Sequence, residues 1–290
     1  MDDRGQIRGN LVHENERDQW NSVLRNARSL SHENSEAQLL VHGQDNSDSL
    51  SEVQKQAQVE KRQLVQAGKA KRFVLRYGTE SGLKIFKMVE PQSAGNHLMG
   101  FLGNSAAKLE HQYHLRCQSL DLAATRSLGY LELRRGPFLV RACQIQEPID
   151  FEQLPLLETF FPQQFSQHKE DAVTALATAI AQMHLKRFFH GDLKGFHAFV
   201  RTRGSYPSGA AQYDLLWIDL GRVGFNLSKR QRIINLYQVF RYILPRDSES
   251  QASFMKTYCD VAQWQNHQPQ KALDKVLQFL TYKLRTHPNP

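Results

Sequence analysis

The chain has 290 residues, with 37 Lys and Arg against 29 Asp and Glu, and a formal charge of +8. That length suits a two-lobed domain with a sizeable core. Cys117, Cys143 and Cys259 are too few and too widely spaced for a disulfide framework or a zinc site, which points to a reducing compartment. No apolar run approaches a membrane span and no hydrophobic signal core follows Met1, so a soluble or at most peripheral protein is expected.

The charge is unevenly placed. Up to Gly68 there are eight Lys/Arg and eleven Asp/Glu, so that stretch is −3 and the remainder is +11. A basic globular part favours anionic partners such as nucleotide phosphates, a phosphorylated glycan, an acidic membrane surface or nucleic acid. Residues 1–68 are rich in Gln, Asn, Ser and Glu, with only short apolar touches at Trp20, Val23, Leu24 and Leu39 to Val41. This composition predicts a flexible arm with transient helices, one of them over Ser51 to Gln66.

From Ala70 the pattern changes. Arg72 to Tyr77 and Leu83 to Met88 predict two strands joined by the turn Gly78-Thr79-Glu80-Ser81-Gly82. A strand lysine two residues after a small residue can reach nucleotide phosphates while leaving room for a flat base. Gly82 and Lys84 have that spacing, with Lys87, on the opposite strand face, as the second candidate. No Gly-x-Gly-x-x-Gly loop is present.

Pro91 to Asn104 reads as loop and Ser105 to Leu120 as an amphipathic helix, whose sole acidic residue, Glu110, is the candidate partner of the strand lysine. Leu128 to Leu133 and Pro137 to Ile145 predict a hairpin, followed by a hinge from Gln146. A short helix is expected over Leu154 to Phe161, ended by Pro162. The most regular helical pattern runs from His168 to Lys186, with His184 as a packed core histidine.

This helix leads into His190-Gly191-Asp192-Leu193-Lys194-Gly195-Phe196-His197 and the apolar run Ala198 to Val200. A polar loop, Arg201 to Tyr213, precedes Leu215-Leu216-Trp217-Ile218-Asp219-Leu220-Gly221. Each motif sets a carboxylate beside a short strand-like run, the pair that phosphoryl transfer needs: one Asp orients the attacking hydroxyl and another holds a metal against the phosphates. The protein-kinase signature is H-R-D-L-x-x-x-N followed by D-F-G. Here Gly191 replaces the Arg, and His197 stands where the metal-binding Asn would be. Past Gly221 there is no room for a long activation segment before the helix Ile233 to Ile243, which argues against a protein kinase switched by loop phosphorylation. Phe254 to Trp264 and Lys271 to Leu284 complete a helical lobe.

These residues resemble the lipopolysaccharide core kinases, which phosphorylate 3-deoxy-D-manno-octulosonic acid (Kdo) or heptose. The likeness rests on Met183-His184, on His190-Gly191-Asp192-Leu193-Lys194 with His197, on Ile218-Asp219-Leu220-Gly221-Arg222, and on Arg232-Ile233-Ile234-Asn235-Leu236. It spans roughly residues 70 to 245. It implies an α+β, two-lobed protein-kinase-like fold, with a small antiparallel-sheet N-lobe over 69–146 and a helical C-lobe over 147–290; the polar arm 1–68, read from composition, lies outside the likeness. The implied activity is ATP-dependent phosphorylation of a sugar hydroxyl on a lipid-linked glycan. Asp192, Lys194 and His190 are then the catalytic set, with Lys84, Glu110 and Gly82 on the nucleotide and Asp219 and His197 on the metal.

The implied cofactors are ATP and Mg²⁺, or Mn²⁺, which tolerates a nitrogen ligand better. His197 is either a metal ligand or a hydrogen-bond donor to a phosphate or to Asp192. The implied partners are ATP, the glycan acceptor and an anionic membrane surface, with no nucleic acid. The implied location is cytoplasmic, peripheral on the inner face of the bacterial inner membrane. Asn235 departs from the family, which tends to have an Asp there to steady the catalytic loop. Two further readings are a nucleotide-binding module without catalysis and a small-molecule kinase of the same fold.

Overall fold

The computed structural model describes residues 6–11, 17–33, 38–40, 71–79, 82–91, 103–149, 154–264 and 268–286. The chain divides into two compact units, one of residues 1–116 with 125–149 and one of 117–124 with 150–290.

The first unit is built on an antiparallel sheet. Its strands are β1 (Gln6–Leu11), β2 (Gln38–Leu40), β3 (Lys71–Thr79), β4 (Gly82–Glu90), β5 (Ser127–Arg135) and β6 (Phe138–Gln146), in the order β1-β5-β6-β4-β3-β2. The β5–β6 hairpin turns at Gly136, whose φ of +59° suits a residue without a Cβ. Alternation along β4 gives the sheet two different faces. Phe86 and Met88 face helix α1 (Arg17–Glu33) and form a core with Trp20, Val23, Leu24, Leu131 and Ile145. On the other face Ala142 and Leu139 pack on Ala107 of helix α2 (Ala106–Ser119).

The expectation of a flexible arm is corrected for its first part. β1 pairs with β5 along its whole length, from Gln6 with Arg134 to Leu11 with Gly129. Trp20 and Leu24 are fully buried, and Trp20 meets Phe86 edge-on at 6.3 Å. Arg141, buried beneath α1, donates to the Leu24 carbonyl at 2.5 Å and to Glu90 at 2.8 Å. The three apolar residues looked too few for a core because the surface they cover is built by strands more than sixty positions downstream. The helix expected over 51–66 and the loop 92–102 lie outside the described residues, as do 150–153 of the expected hinge.

The second unit is mainly helical: α3 (Leu157–Gln167), α4 (Lys169–Leu185), α5 (Lys229–Tyr242), α6 (Ser248–Ala262) and α7 (Pro269–Thr286). Val173, Leu176, Ile180 and Met183 bury one side of α4, as the periodicity predicts. Pro162 does not end α3. It lies within the helix, where Phe161 and Phe165 pack ring to ring at 5.8 Å and hold the segment despite one lost backbone bond. Nor is 201–213 a loop. β8 (Ala198–Ser205) and β9 (Ala211–Trp217) pair into a hairpin whose outer half is polar because it is exposed, with Arg201 and Arg203 both bonded to Asp214 across the strands.

Candidate active site

The catalytic loop is set by how α4 stops. Arg187 takes a left-handed conformation (φ +59°), the Phe188 N–H returns to the Met183 carbonyl at 3.2 Å, and Phe188 drops into the core. The chain then forms the two-residue strand β7 (Phe189–His190), which pairs with β10 (Val223–Gly224) just past the second motif. This pairing brings His190-Gly191-Asp192 beside Asp219-Leu220-Gly221.

Gly191 crosses so close to that segment that its N–H donates to the Arg222 carbonyl at 2.6 Å. A Cβ on Gly191 would stand 2.4 Å from the same oxygen, so the arginine of the protein-kinase signature has no room here. Gly195 is equally constrained, since its Cβ would lie 2.6 Å from Glu158 Cβ and 2.9 Å from Glu158 Cα in the first turn of α3. Leu193 is fully buried between them. The loop is pinned on both sides, and its two half-exposed side chains, Asp192 and Lys194, form an ion pair at 3.2 Å.

His197 lies between the two carboxylates. Its Nδ1 is 2.6 Å from the Asp192 backbone carbonyl, and because a carbonyl only accepts, Nδ1 carries the proton. In the neutral ring Nε2 then presents a lone pair towards Asp219 Oδ2, 3.8 Å away, while Asp192 Oδ2 is 3.9 Å from Nδ1. Both carboxylates thus converge on one buried imidazole. Asp219 itself sits in the left-handed region at φ +53°, a conformation Asp tolerates better than most residues.

His190 does not reach the solvent. Its Nε2–H donates to the Ile218 carbonyl at 3.0 Å, tying the first motif to the residue before Asp219, and burial pushes its pKa down to about 4. It is therefore a positioning residue, neutral at physiological pH, whose buried Nδ1 has no hydrogen-bond partner.

Asn235 of α5 replaces a charged brace with a neutral one. Its Oδ1 accepts from the His190 N–H at 3.3 Å and from His184 Nε2 at 3.2 Å, and its Nδ2 donates to the His190 carbonyl at 2.6 Å and to Gln238 Oε1 at 2.9 Å. Gln238 in turn donates to the Gly191 carbonyl at 3.0 Å. Despite that departure Asn235 braces the loop, because the amide makes donor and acceptor bonds that a carboxylate cannot both make. Gln238 was missed in the sequence, where its only signal is its position one helical turn after Asn235.

In the first unit Glu110 bonds Lys87 Nζ at 2.5 Å. The expected pair of Glu110 with Lys84 is corrected accordingly: Lys84 shares the Phe86–Met88 face, covered by α1, whereas Lys87 points to the face that carries α2. The small-residue argument for Gly82 goes with it, since Ile85 stands two residues before Lys87. A buried polar chain holds α2 in place. His114 bonds the Thr125 carbonyl through Nδ1 at 2.6 Å and Gln146 through Nε2 at 3.1 Å, and Gln146 reaches Gln144 at 2.7 Å.

The model of the lipopolysaccharide kinase (Kdo/WaaP) family matches residues 95–266, more than half of the chain and including both motifs. The chain belongs to that family. Among solved structures, "WaaP in complex with acyl carrier protein" is similar in fold, with a TM-score of 0.55 and 17% identity over 96% of this chain and 98% of that one. A BubR1 kinase domain gives a TM-score of 0.37 and 11% identity over 74% and 77%. No curated protein matches. The fold is the two-lobed kinase-like one, with a small antiparallel sheet in one unit and helices dominating the other. As a Kdo/WaaP-family kinase the protein is a phosphotransferase with an alcohol group as acceptor, acting on lipopolysaccharide core.

Among the described residues no group of three or more His, Cys, Asp or Glu side chains is placed so that all could hold one metal ion. The donor set near His197 is two side chains, Asp219 and the imidazole. That number fits a hard divalent cation, which keeps waters and substrate phosphates as its other ligands.

Proposed function

We propose that the protein transfers the γ-phosphoryl group of ATP to a hydroxyl of a Kdo or heptose residue in the lipopolysaccharide inner core. The observation that carries this reading is the convergence of Asp192 and Asp219 on His197 in a loop fixed from both sides. Asp192 orients the acceptor hydroxyl and takes its proton as the new O–P bond forms and the bond from the γ-phosphorus to its bridging oxygen breaks, releasing ADP. Lys194, paired with Asp192 at 3.2 Å, supplies positive charge where the transferring group builds up negative charge. Lys87, paired with Glu110 at 2.5 Å, holds the nucleotide phosphates. Asp219 and the Nε2 lone pair of His197 would hold Mg²⁺ or Mn²⁺, which would supply charge neutralisation at the phosphates.

No helix among the described residues is long and apolar enough to cross a membrane. Work on the inner face of the inner membrane, where ATP and the growing core meet, then calls for peripheral contact, favoured by the basic surplus after Gly68. The test is Asp192→Ala. Phosphate transfer from radiolabelled ATP to purified core oligosaccharide should fall by about 10³-fold, with nucleotide affinity within about threefold of the parent. Transfer that survives the substitution sinks the assignment.

A further inference from the structure

Beside the catalytic loop, within the second unit, cations and aromatic rings are linked by successive close contacts. Lys194 Nζ lies 5.9 Å from the centre of the Tyr242 ring, at the end of α5. Arg241 lies over that ring at 5.3 Å and over Tyr237 at 5.9 Å, with Nη1 donating to the Tyr237 hydroxyl at 2.7 Å. Tyr237 meets Phe279 of α7 edge-on at 5.3 Å, and Lys283 lies over Phe279 at 5.7 Å and over Tyr282 at 5.9 Å. Burial pushes the Tyr242 phenol up, and the charge of Asp192 adds to the shift, so the row begins beside the reacting carboxylate.

As a fastening between α5 and α7 this row is oddly composed. Tyr237, nearly buried, is enough to seat Phe279, yet three cations stand among the rings, and Tyr282 is 58% exposed and adds nothing to the core. Rings that offer a face beside a fixed cation are what a sugar acid requires. The C–H face of a pyranose packs on an aromatic ring, and its carboxylate takes charge-assisted hydrogen bonds from a guanidinium or ammonium group. A guanidinium held between two rings is ordered before the ligand arrives and so loses little freedom on binding.

We infer that this row binds the acceptor glycan: sugar rings lie on Tyr242 and Tyr282, and Arg241 and Lys283 each take a carboxylate of the acidic sugars that flank the residue whose hydroxyl faces Asp192. The inference rests on the transfer reaction proposed above and adds which residues select the acceptor.

The test uses the full-length protein and lipid-free inner-core oligosaccharide, either with its sugar carboxylates intact or with them reduced to alcohols. Lys283→Gln and Tyr282→Ala alter the outer end of the row. Arg241→Gln alters its middle, and a thermal melt checks that this variant is folded. Each should raise the KM for the intact oligosaccharide about fivefold or more and leave the KM for ATP within twofold. The parent should prefer the intact over the reduced oligosaccharide, and Arg241→Gln and Lys283→Gln should erase that preference. Unchanged acceptor KM values in all three variants overturn the inference. So does an effect confined to lipid-bearing acceptor in anionic vesicles, which would make the row a membrane contact. Asp192→Ala separates the two levels: if it abolishes transfer while the row variants behave as the parent, only the acceptor assignment fails.

Discussion

Lys84 and Lys87 are three positions apart on β4, and strand alternation sends them to opposite faces. Spacing from a small residue favoured Lys84, but the face is decided by which helix covers it. Glu110 arrives on the side of Lys87 and bonds it at 2.5 Å. The expected outcome is that Lys87→Met lowers kcat/KM about 10²-fold through lost charge stabilisation, while Lys84→Met stays within about threefold. Initial-rate kinetics with varied ATP check this, and the reverse ranking would return the role to Lys84. That Asp192, Asp219 and His197 lie near one another was easier to read, because each belongs to a short motif beside a strand-like run. The tautomer of His197 was not legible, since it depends on the Asp192 carbonyl to which the ring is bonded.

At the scale of elements, the helix α5 is what braces the loop, and it does so through a buried amide. Asn235→Asp would set an oxygen against the His190 carbonyl, where an N–H now lies at 2.6 Å, and another against Gln238. With no exposure at that position, a loss of about 2–4 kcal/mol at neutral pH is expected from the unpaired charge and the broken bonds, read from the urea midpoint. Equal or greater stability would show the amide network to be incidental. Helix α4 carries a second consequence. His184 is wholly buried, bonded to Tyr258 at 2.6 Å and to Asn235, and burial pushes its pKa down to about 3 from an ordinary 6.5. The unfolded chain therefore binds a proton that the folded chain refuses. Stability is full above about pH 6.5 and falls as the pH drops towards 3, by up to about 1.4 kcal/mol per unit. Urea melts at pH 7 and pH 5 should show this slope, and His184→Gln should flatten it.

For the molecule as a whole, the N-terminal residues belong to the fold of the first unit. Trp20 is fully buried against Phe86, and α1 is tied down by Arg141, itself bonded to Glu90. Trp20→Ala should cost about 3–5 kcal/mol in that unit, measured by chemical unfolding. Loss of less than about 1 kcal/mol would restore the picture of a dispensable arm. The arm was misread because composition averages over a window, whereas burial needs only one side of one helix and a surface to meet it.

The amino-acid sequence by itself determined the order of strands and helices after Ala70, the two acidic motifs and the family. Those are local matters: period, turn residues and the spacing of side chains along one segment. Only the tertiary structure decided which lysine meets Glu110, why residue 191 has no side chain, how an amide replaces a charge at 235, and that β1 and α1 complete the sheet. Each of these depends on what lies opposite a residue in space, and segments dozens to more than a hundred positions apart supply it.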